Sequence, residues 1–199
     1  MSTGRLEAFS DGVIAIAITL LVLNIHVPAP ETTRSLAAQL GHQWPEYVAY
    51  AVSFMTIGVI WINHHAMLRR LARANHTVLV LNLLLLLTLG LLPFSTALMA
   101  VYVHADHGQH LAAAISAGSF LLMAVAFFTM QHYLLFGGGD LVHERIDEQS
   151  RRRIAYRNRA GLVPYAVALA LAPLSSYATL ALCGAVAVFY ALPTTTADD

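Results

Sequence analysis

The residues that suggest chemistry form two small groups in an otherwise apolar chain. They are Arg5, Ser10 and Asp11 near the beginning, and Trp61, His64 and His65 further along. Carboxylates and imidazoles form hydrogen-bonded ion pairs, and they also bind metal ions such as zinc. A zinc site would need two or more histidines on one helical face with further ligands, whereas His64 and His65 are adjacent in sequence. Adjacent histidines alone are therefore a weak metal signal, and we predict no metal and no cofactor.

The charged members of the first group are expected to find partners on other helices. Arg5 and Asp11 are six residues apart, which places them roughly 240° apart around an α-helix, so they do not pair with each other. An ionisable group at the centre of a membrane span costs about 2.5–3.5 kcal/mol and usually faces protein or water. The alternative is that both residues lie at a solvated helix end.

The composition of the chain places these groups in a membrane. Hydrophobic residues make up 58% of its 199 residues and charged ones 11%, against about 45–50% and about 25% in typical soluble domains. This composition excludes a water-soluble globular domain. Eleven arginines balance eleven acidic residues, so nothing indicates a nucleic-acid partner. The single Cys183 forms no intrachain disulfide.

The spacing of the charges predicts six transmembrane helices. Five stretches without a charged residue are each long enough for a helix of about 20 residues, and the last, 160–197, holds two helices around a turn at 173–177. The apolar runs lack the alternation of a β-barrel, so the membrane favours helices. We predict an all-α membrane protein with a single domain, 1–199. The expected spans are 8–26, 46–68, 76–101, 111–136, 156–173 and 176–192.

The arginines fix the orientation of these spans. Ten of them fall on one side of the membrane, at positions 5, 69, 70, 73, 145, 151, 152, 153, 157 and 159, and only Arg34 falls on the other. Cytoplasmic loops are enriched in arginine, so both termini are predicted to be cytoplasmic. Glu7 and Asp11 interrupt the basic-then-apolar order of a signal peptide, and we expect the first helix to be retained.

Two further sets of polar residues lie in or between the spans. The external loop between the third and fourth spans contains three histidines, His104, His107 and His110. They could belong to a solvated loop, sense external acid or bind a metal ion weakly. Asn82 and Thr88 lie inside the third span, where such groups usually bridge helices. Neither set alone indicates chemistry.

The first helix carries a regular stripe of residues along one face. At about 100° per residue, the stripe contains Arg5, Phe9, Gly12, Ile16, Leu20 and Leu23, with Thr19 at its edge. Small residues between the bulky ones allow neighbouring helices to approach closely, so this helix is expected to pack centrally in a bundle. The alternative is an ordinary packing seam without a further function.

Common catalytic patterns are missing from the sequence. It contains no Walker loop, no nucleophile elbow and no metalloprotease pair, and we predict that the protein is not an enzyme. The Thr-Val-Gly-Tyr-Gly carbonyl filter of ordinary potassium channels is also missing. Opposed carboxylates in the middle of the membrane, which proton relays usually need, are not found either, and this disfavours an ion-coupled transporter.

The residues of the first three spans resemble those of a known family. The string Arg5-x-x-x-Phe9-Ser10-Asp11, with Gly12-Val13 and the apolar run to Leu23, closely resembles the first-helix signature of bacterial members of the transmembrane protein 175 family. Trp61-x-x-His64-His65 and Leu92-Pro93-Phe94-x-Thr96 resemble further patches of that family. The resemblance covers roughly residues 4–100, and the second half of the chain matches in span count and hydropathy.

This resemblance implies a potassium-permeable cation channel. Bacterial members have six helices per subunit and form a homotetramer in the inner membrane, with the first helix of each subunit lining a central pore. Ile16 then matches the pore constriction, Leu20 and Leu23 lie further out, and Thr19 matches a hydroxyl layer implicated in selectivity. The matching polar network consists of Arg5, Ser10, Asp11, Trp61 and His64 or His65. The partners implied are further copies of the chain, membrane lipid and monovalent cations, with K⁺ as the permeant ion.

The sequence departs from the family pattern at two positions. Ile14 replaces a frequent phenylalanine, and Asn24 lies where many members carry an acid, which puts an outer cation-attracting ring in doubt. Rings of aliphatic side chains bind no ion and gate a narrow pore by wetting and drying. The alternative functions are an ion-coupled secondary transporter and a non-conducting membrane assembly protein.

Overall fold

The computed structural model describes residues 3–30, 34–137, 141–143 and 147–192, and these fold into eight α-helices. They are α1 (Thr3–Leu20), α2 (Leu36–His42), α3 (Trp44–Arg69), α4 (His76–Tyr102), α5 (Gln109–His132), α6 (Glu148–Ala160), α7 (Leu162–Leu171) and α8 (Ser176–Ala191). A 3-10 turn, Leu21–Asn24, extends α1, and a π-helical turn, Tyr133–Gly137, extends α5. Arg145, which contributed to the predicted orientation, lies outside the described residues.

Within the described residues, four helical segments are long and apolar enough to cross a membrane. They are Thr3–Asn24, Trp44–Arg69, His76–Tyr102 and Gln109–Gly137, which agree with the first four predicted spans within a few residues. The largest shift is at the first span, because α1 begins at Thr3 instead of residue 8. The connection between the first two predicted spans contains the short helix α2, whose N-cap Ser35 accepts a hydrogen bond from the amide of Ala38.

The regions of the fifth and sixth predicted spans hold shorter helices. Span 156–173 falls on the end of α6 and on α7, which has 10 residues, and span 176–192 falls on α8, which has 16 residues. The helix is interrupted at Gly161, where a Cβ atom would lie 2.9 Å from the Tyr190 hydroxyl of α8. Pro164 then removes one backbone donor from the first turn of α7, where the loss is tolerated. The six-span count therefore stays a prediction.

The core of the bundle lies along α4. Leu85, Leu89 and Leu92 are fully buried on this helix, which packs against α1, α3 and α5. Ala113 and Ala117, one turn apart on α5, are also fully buried and allow helices to approach closely. Helix α1 packs against α3 as well as against α4. One face of α1 is therefore held by two helices, which positions the functional residues described next.

Candidate functional site

A buried hydrogen-bonded cluster joins α1, α3 and α4. Ser10, His64 and Asn82 are each 0% exposed. The Asn82 amide donates from Nδ2 to Ser10 Oγ at 3.0 Å, and Ser10 Oγ lies within 2.8 Å of the Leu6 carbonyl oxygen in its own helix. His64 Nε2 lies 2.8 Å from Asn82 Oδ1, and because that oxygen only accepts, Nε2 carries the proton. Asn82 thus links three helices with a single side chain.

A second set of contacts lies on the half-exposed side of α1 and α3. Trp61 Nε1 donates to Asp11 Oδ1 at 2.9 Å, and His65 Nδ1 lies 2.9 Å from Glu7 Oε1. Glu7 and Asp11 are one turn apart on α1, as are Trp61 and His65 on α3, and the helices run antiparallel. The two pairs therefore form successive rungs between the helices.

The two histidines of α3 have different surroundings. His64 is buried against Asn82, whereas the His65 side chain is 41% exposed and contacts Glu7. Adjacent helical residues point about 100° apart, which explains why each histidine meets a different neighbour. The resemblance left the choice between these histidines open, and the structure brings both to α1, His64 through Asn82 and His65 directly.

Arg5 is the sequence-predicted residue that remains apart from these contacts. Its side chain is exposed, and it makes no hydrogen bond or ion pair with any residue that the structure describes. Two residues that the first-helix motif did not single out occupy central places. Glu7 forms one rung, and Asn82 connects Ser10 with His64. Asn82 had a visible signal, because it is an isolated amide within a run of leucines.

The opposite face of α1 is apolar and uncovered in the single chain. Ile16, Leu20 and Leu23 are 61%, 44% and 71% exposed. Ile14 and Leu21 face the bundle instead and are 2% and 0% exposed. The 3-10 turn advances by about 120° per residue, so Leu23 stays within roughly 40° of the line through Ile16 and Leu20. The predicted stripe is therefore a continuous exposed surface.

Polar groups occur along and beyond this stripe. Thr19 is exposed, and its hydroxyl lies 2.9 Å from the carbonyl oxygens of both Ala15 and Ile16. A hydroxyl has one proton and two lone pairs, so its acceptor capacity stays available. Further out, Asn24 Nδ2 donates to the Pro93 carbonyl at 2.9 Å and attaches the end of the α1 segment to α4.

Comparisons with known proteins identify the family. The family model described as endosomal/lysosomal potassium channel TMEM175 matches residues 5–93. A potassium channel of Streptomyces collinus is 41% identical over 188 residues, which cover 94% of this chain and 91% of that protein. This chain belongs to the TMEM175 family. The match to the TMEM175 family model includes every residue of the buried cluster and of the two rungs.

A solved TMEM175 structure agrees with the fold. The crystal structure of a lysosomal potassium-selective channel TMEM175 homolog from Chamaesiphon minutus superposes with a TM-score of 0.85 at 37% identity, covering 96% of this chain and 97% of that one. A more distant TMEM175 relative, from mouse, is named an endosomal/lysosomal proton channel and is 38% identical over 117 residues, which cover 55% of this chain and 23% of the mouse protein. These matches confirm the family resemblance that the sequence predicted. The members of this family are ion channels, which confirms the prediction that the protein is not an enzyme.

Proposed function

We propose that the protein is a potassium-permeable cation channel whose pore is lined by α1 from four identical subunits. The observation that carries this proposal is the exposed stripe of Ile16, Leu20 and Leu23 on a helix whose other side is held by α3 and α4. The buried cluster and the rungs hold α1 in one rotation about its axis. The same three side chains would therefore face the symmetry axis in every subunit.

The composition of the exposed α1 face favours a pore over lipid. The outward side of α4 is built of large apolar residues such as Leu83, Leu84 and Leu87, as expected for contact with acyl chains. The exposed face of α1 contains Gly12 and the hydroxyl of Thr19, and of these only the hydroxyl has no counterpart beside the three leucines, because Gly90 is exposed on the same side of α4. Small and hydroxyl-bearing residues are typical of surfaces where helices approach each other or meet water. This difference separates the two surfaces within one subunit.

A cyclic arrangement would turn each exposed side chain into a ring. Four copies of one surface close by rotational symmetry, so Ile16, Leu20 and Leu23 would form three apolar layers. Apolar constrictions gate by dewetting, since a narrow hydrophobic pore does not hold a stable column of water. The Thr19 hydroxyls would form a polar layer between the first two rings and contribute to ion selectivity. Arg5, exposed in the single chain, is then available to a neighbouring subunit.

The charge distribution supports a six-span topology with cytoplasmic termini in a bacterial inner membrane. The amide of His143 donates to the Arg70 carbonyl at 3.0 Å, so the α3–α4 turn lies beside the segment that leads into α6. The arginines of α6 thus lie at the same end of the bundle as Arg5 and Arg70. Helices α7 and α8 would complete the fifth and sixth spans and bring the C-terminus back to that side.

The nature of the permeant ion rests on the relatives. Streptomyces collinus and Chamaesiphon minutus proteins are named potassium channels, whereas the mouse relative is named a proton channel. The two bacterial proteins match this chain over 91% and 97% of their own length, whereas the match to the mouse protein covers 23% of that protein, and this favours K⁺ as the main permeant ion. Aliphatic rings require no cofactor for conduction.

Ion flux into liposomes that contain only the purified protein tests this function. A channel gives potassium flux that follows an imposed voltage and does not saturate as a carrier does. Saturable exchange at low turnover would indicate the secondary transporter, and flux equal to that of empty liposomes would indicate the non-conducting assembly protein. A pH-sensitive dye inside the same liposomes measures proton flux in parallel, and proton flux without potassium flux would contradict the assignment of K⁺.

A further inference from the structure

We propose that Glu7, Asp11 and His65 form a binding site for a divalent transition-metal ion of the zinc type, which bridges α1 and α3. One carboxylate oxygen from each acid and one ring nitrogen of the histidine all lie within 4.8 Å of one another. Two of the residues come from α1 and one comes from α3, so a bound ion would connect the two helices. The three ligand residues are separate from the exposed stripe of Ile16, Leu20 and Leu23.

The distances are close to those of a metal site. Zinc binds nitrogen at about 2.0–2.1 Å and carboxylate oxygen at about 2.0–2.2 Å, so tetrahedral ligands lie roughly 3.4 Å apart. His65 Nδ1 and Glu7 Oε1 are already 2.9 Å apart. All the ligand atoms lie within 4.8 Å of one another, so the separations must shrink by at most about 1.4 Å, which side-chain rotation provides at partly exposed positions. No movement of the helix backbones is required.

The state of the His65 ring points to the same conclusion. Its Nδ1 atom is shielded from solvent and makes no geometrically acceptable hydrogen bond to any residue that the structure describes, although Glu7 Oε1 is close. A nitrogen that is shielded from water and whose nearest acceptor is poorly aligned gains little from that contact. Coordination of a metal ion by the unprotonated nitrogen would satisfy it. The carboxylate beside it would also be neutralised.

The surroundings hold one ligand in place and leave a path for the ion. Trp61 Nε1 donates to Asp11 Oδ1 at 2.9 Å, which orients that carboxylate and leaves its second oxygen available. Metal-ligating carboxylates are commonly fixed by such outer hydrogen bonds. The side chains of His65 and Glu7 are 41% and 30% exposed, so an ion can reach them from water. His64 is fully buried against Asn82, and it is not grouped with these ligands among the described residues.

The donor set selects the class of ion. One imidazole and two carboxylates suit Zn²⁺ and its neighbours Co²⁺ and Ni²⁺. Calcium prefers six to eight oxygen ligands, and magnesium keeps most of its water in an octahedral shell. The sequence predicts no metal site at this end of α3 when His64 and His65 are taken as the ligands, because they are adjacent. The site combines just one of them with Glu7 and Asp11, a pair spaced by one helical turn.

Metal titration of the full-length, tag-free protein in detergent tests the site. Isothermal titration with Zn²⁺ should give one ion per subunit, and Co²⁺ should give the d–d absorption of a site with nitrogen and oxygen ligands. His65→Asn and Glu7→Gln should each weaken Zn²⁺ binding at least tenfold. Zn²⁺ should also raise the melting temperature of the wild type and leave that of His65→Asn unchanged.

A second histidine–carboxylate pair provides the matched control. His26 Nδ1 lies 3.5 Å from Glu46 Oε2, and no third ligand is grouped with them among the described residues. His26→Asn should bind Zn²⁺ as the wild type does. Failure of the wild type to bind Zn²⁺ or Co²⁺, or wild-type affinity in both His65→Asn and Glu7→Gln, would overturn the proposal. Because binding is measured in detergent, this outcome is separate from the presence or absence of potassium flux.

Discussion

Replacing Asn82 with leucine tests whether the buried cluster holds α1 in place. The change removes both interhelical hydrogen bonds of this residue, one to Ser10 and one to His64. Ser10 keeps its contact with the Leu6 carbonyl, so the loss concentrates on His64. The Nδ1 atom of His64 already has no hydrogen-bond partner among the described residues, and the substitution leaves Nε2 without one as well.

The magnitude follows from the number of contacts that are lost. Interhelical hydrogen bonds in membrane proteins are worth about 0.6 kcal/mol each, and a buried polar group left without a partner costs about 1–3 kcal/mol. The two estimates overlap at His64, because both include its contact with Asn82. We therefore expect Asn82→Leu to lower the free energy of unfolding by about 2 kcal/mol, a roughly 30-fold change in the unfolding equilibrium.

Thr88→Val on the same helix is the matched control. Thr88 is also buried, but among the described residues its hydroxyl hydrogen-bonds only to the Leu85 carbonyl of its own helix. Losing this local bond should cost about 0.5 kcal/mol or less. Both variants are compared with the wild type by SDS-driven unfolding in detergent, followed by circular dichroism. If Asn82→Leu is no less stable than Thr88→Val, the cluster does not anchor α1 and the argument for a fixed helix rotation is wrong.

Three further substitutions test separate parts of the structure. Thr19→Val removes an exposed hydroxyl from the proposed pore, so we expect a lower potassium-to-sodium permeability ratio with flux retained. An unchanged reversal potential would show that Thr19 does not contribute to ion selectivity. Trp61→Phe removes the donor to Asp11, and unfolding in SDS should show a loss of about 0.5–1 kcal/mol, whereas no loss would mean that this rung is not stabilising. Asp147 caps α6 by accepting from the Ser150 amide at 2.9 Å, and hydrogen bonds from the Ser150 hydroxyl and amide lower the pKa of Asp147 below its ordinary value of 3.8. A group whose pKa is lowered in the folded protein contributes stability above its ordinary pKa, and this stability is lost as the pH falls through its pKa in the folded protein. Hydrogen exchange in the first turn of α6 should therefore be faster in Asp147→Ala than in the wild type at pH 5–8. The difference should disappear in strong acid. A difference that is independent of pH would contradict a role for the ionised carboxylate.

Local patterns in the sequence were sufficient to predict the long helices and the exposed stripe. Ile16 and Leu20 lie on one face of α1 because residues four apart in a helix point to the same side, and both are exposed in the structure. The pairing of α1 with α3 was also foreseeable, because antiparallel neighbours bring Asp11 level with Trp61. These features depend on spacing within a helix or on chain direction alone.

Features that depend on the rotation between helices were not predictable in this way. The contact of Glu7 with His65 requires both helices to present the same side to each other, and packing in three dimensions determines that rotation. Asn82 was recognised as a polar group that bridges helices, but its partners lie far away in the sequence. The glycine at position 161 fits the approach of the Tyr190 hydroxyl, a contact that hydropathy does not encode.

Potassium flux through an Ile16→Asn variant tests the central claim most directly. Ile16 is 61% exposed on α1, and Leu87 is 63% exposed on α4, so Leu87→Asn places the same amide on a surface assigned to lipid. In liposomes with equal amounts of folded protein, Ile16→Asn should raise resting potassium flux above the wild type because a polar ring favours water in the constriction. Leu87→Asn should leave it unchanged. Equal flux in the wild type and Ile16→Asn, or an equal increase in both variants, would contradict a pore lined by α1.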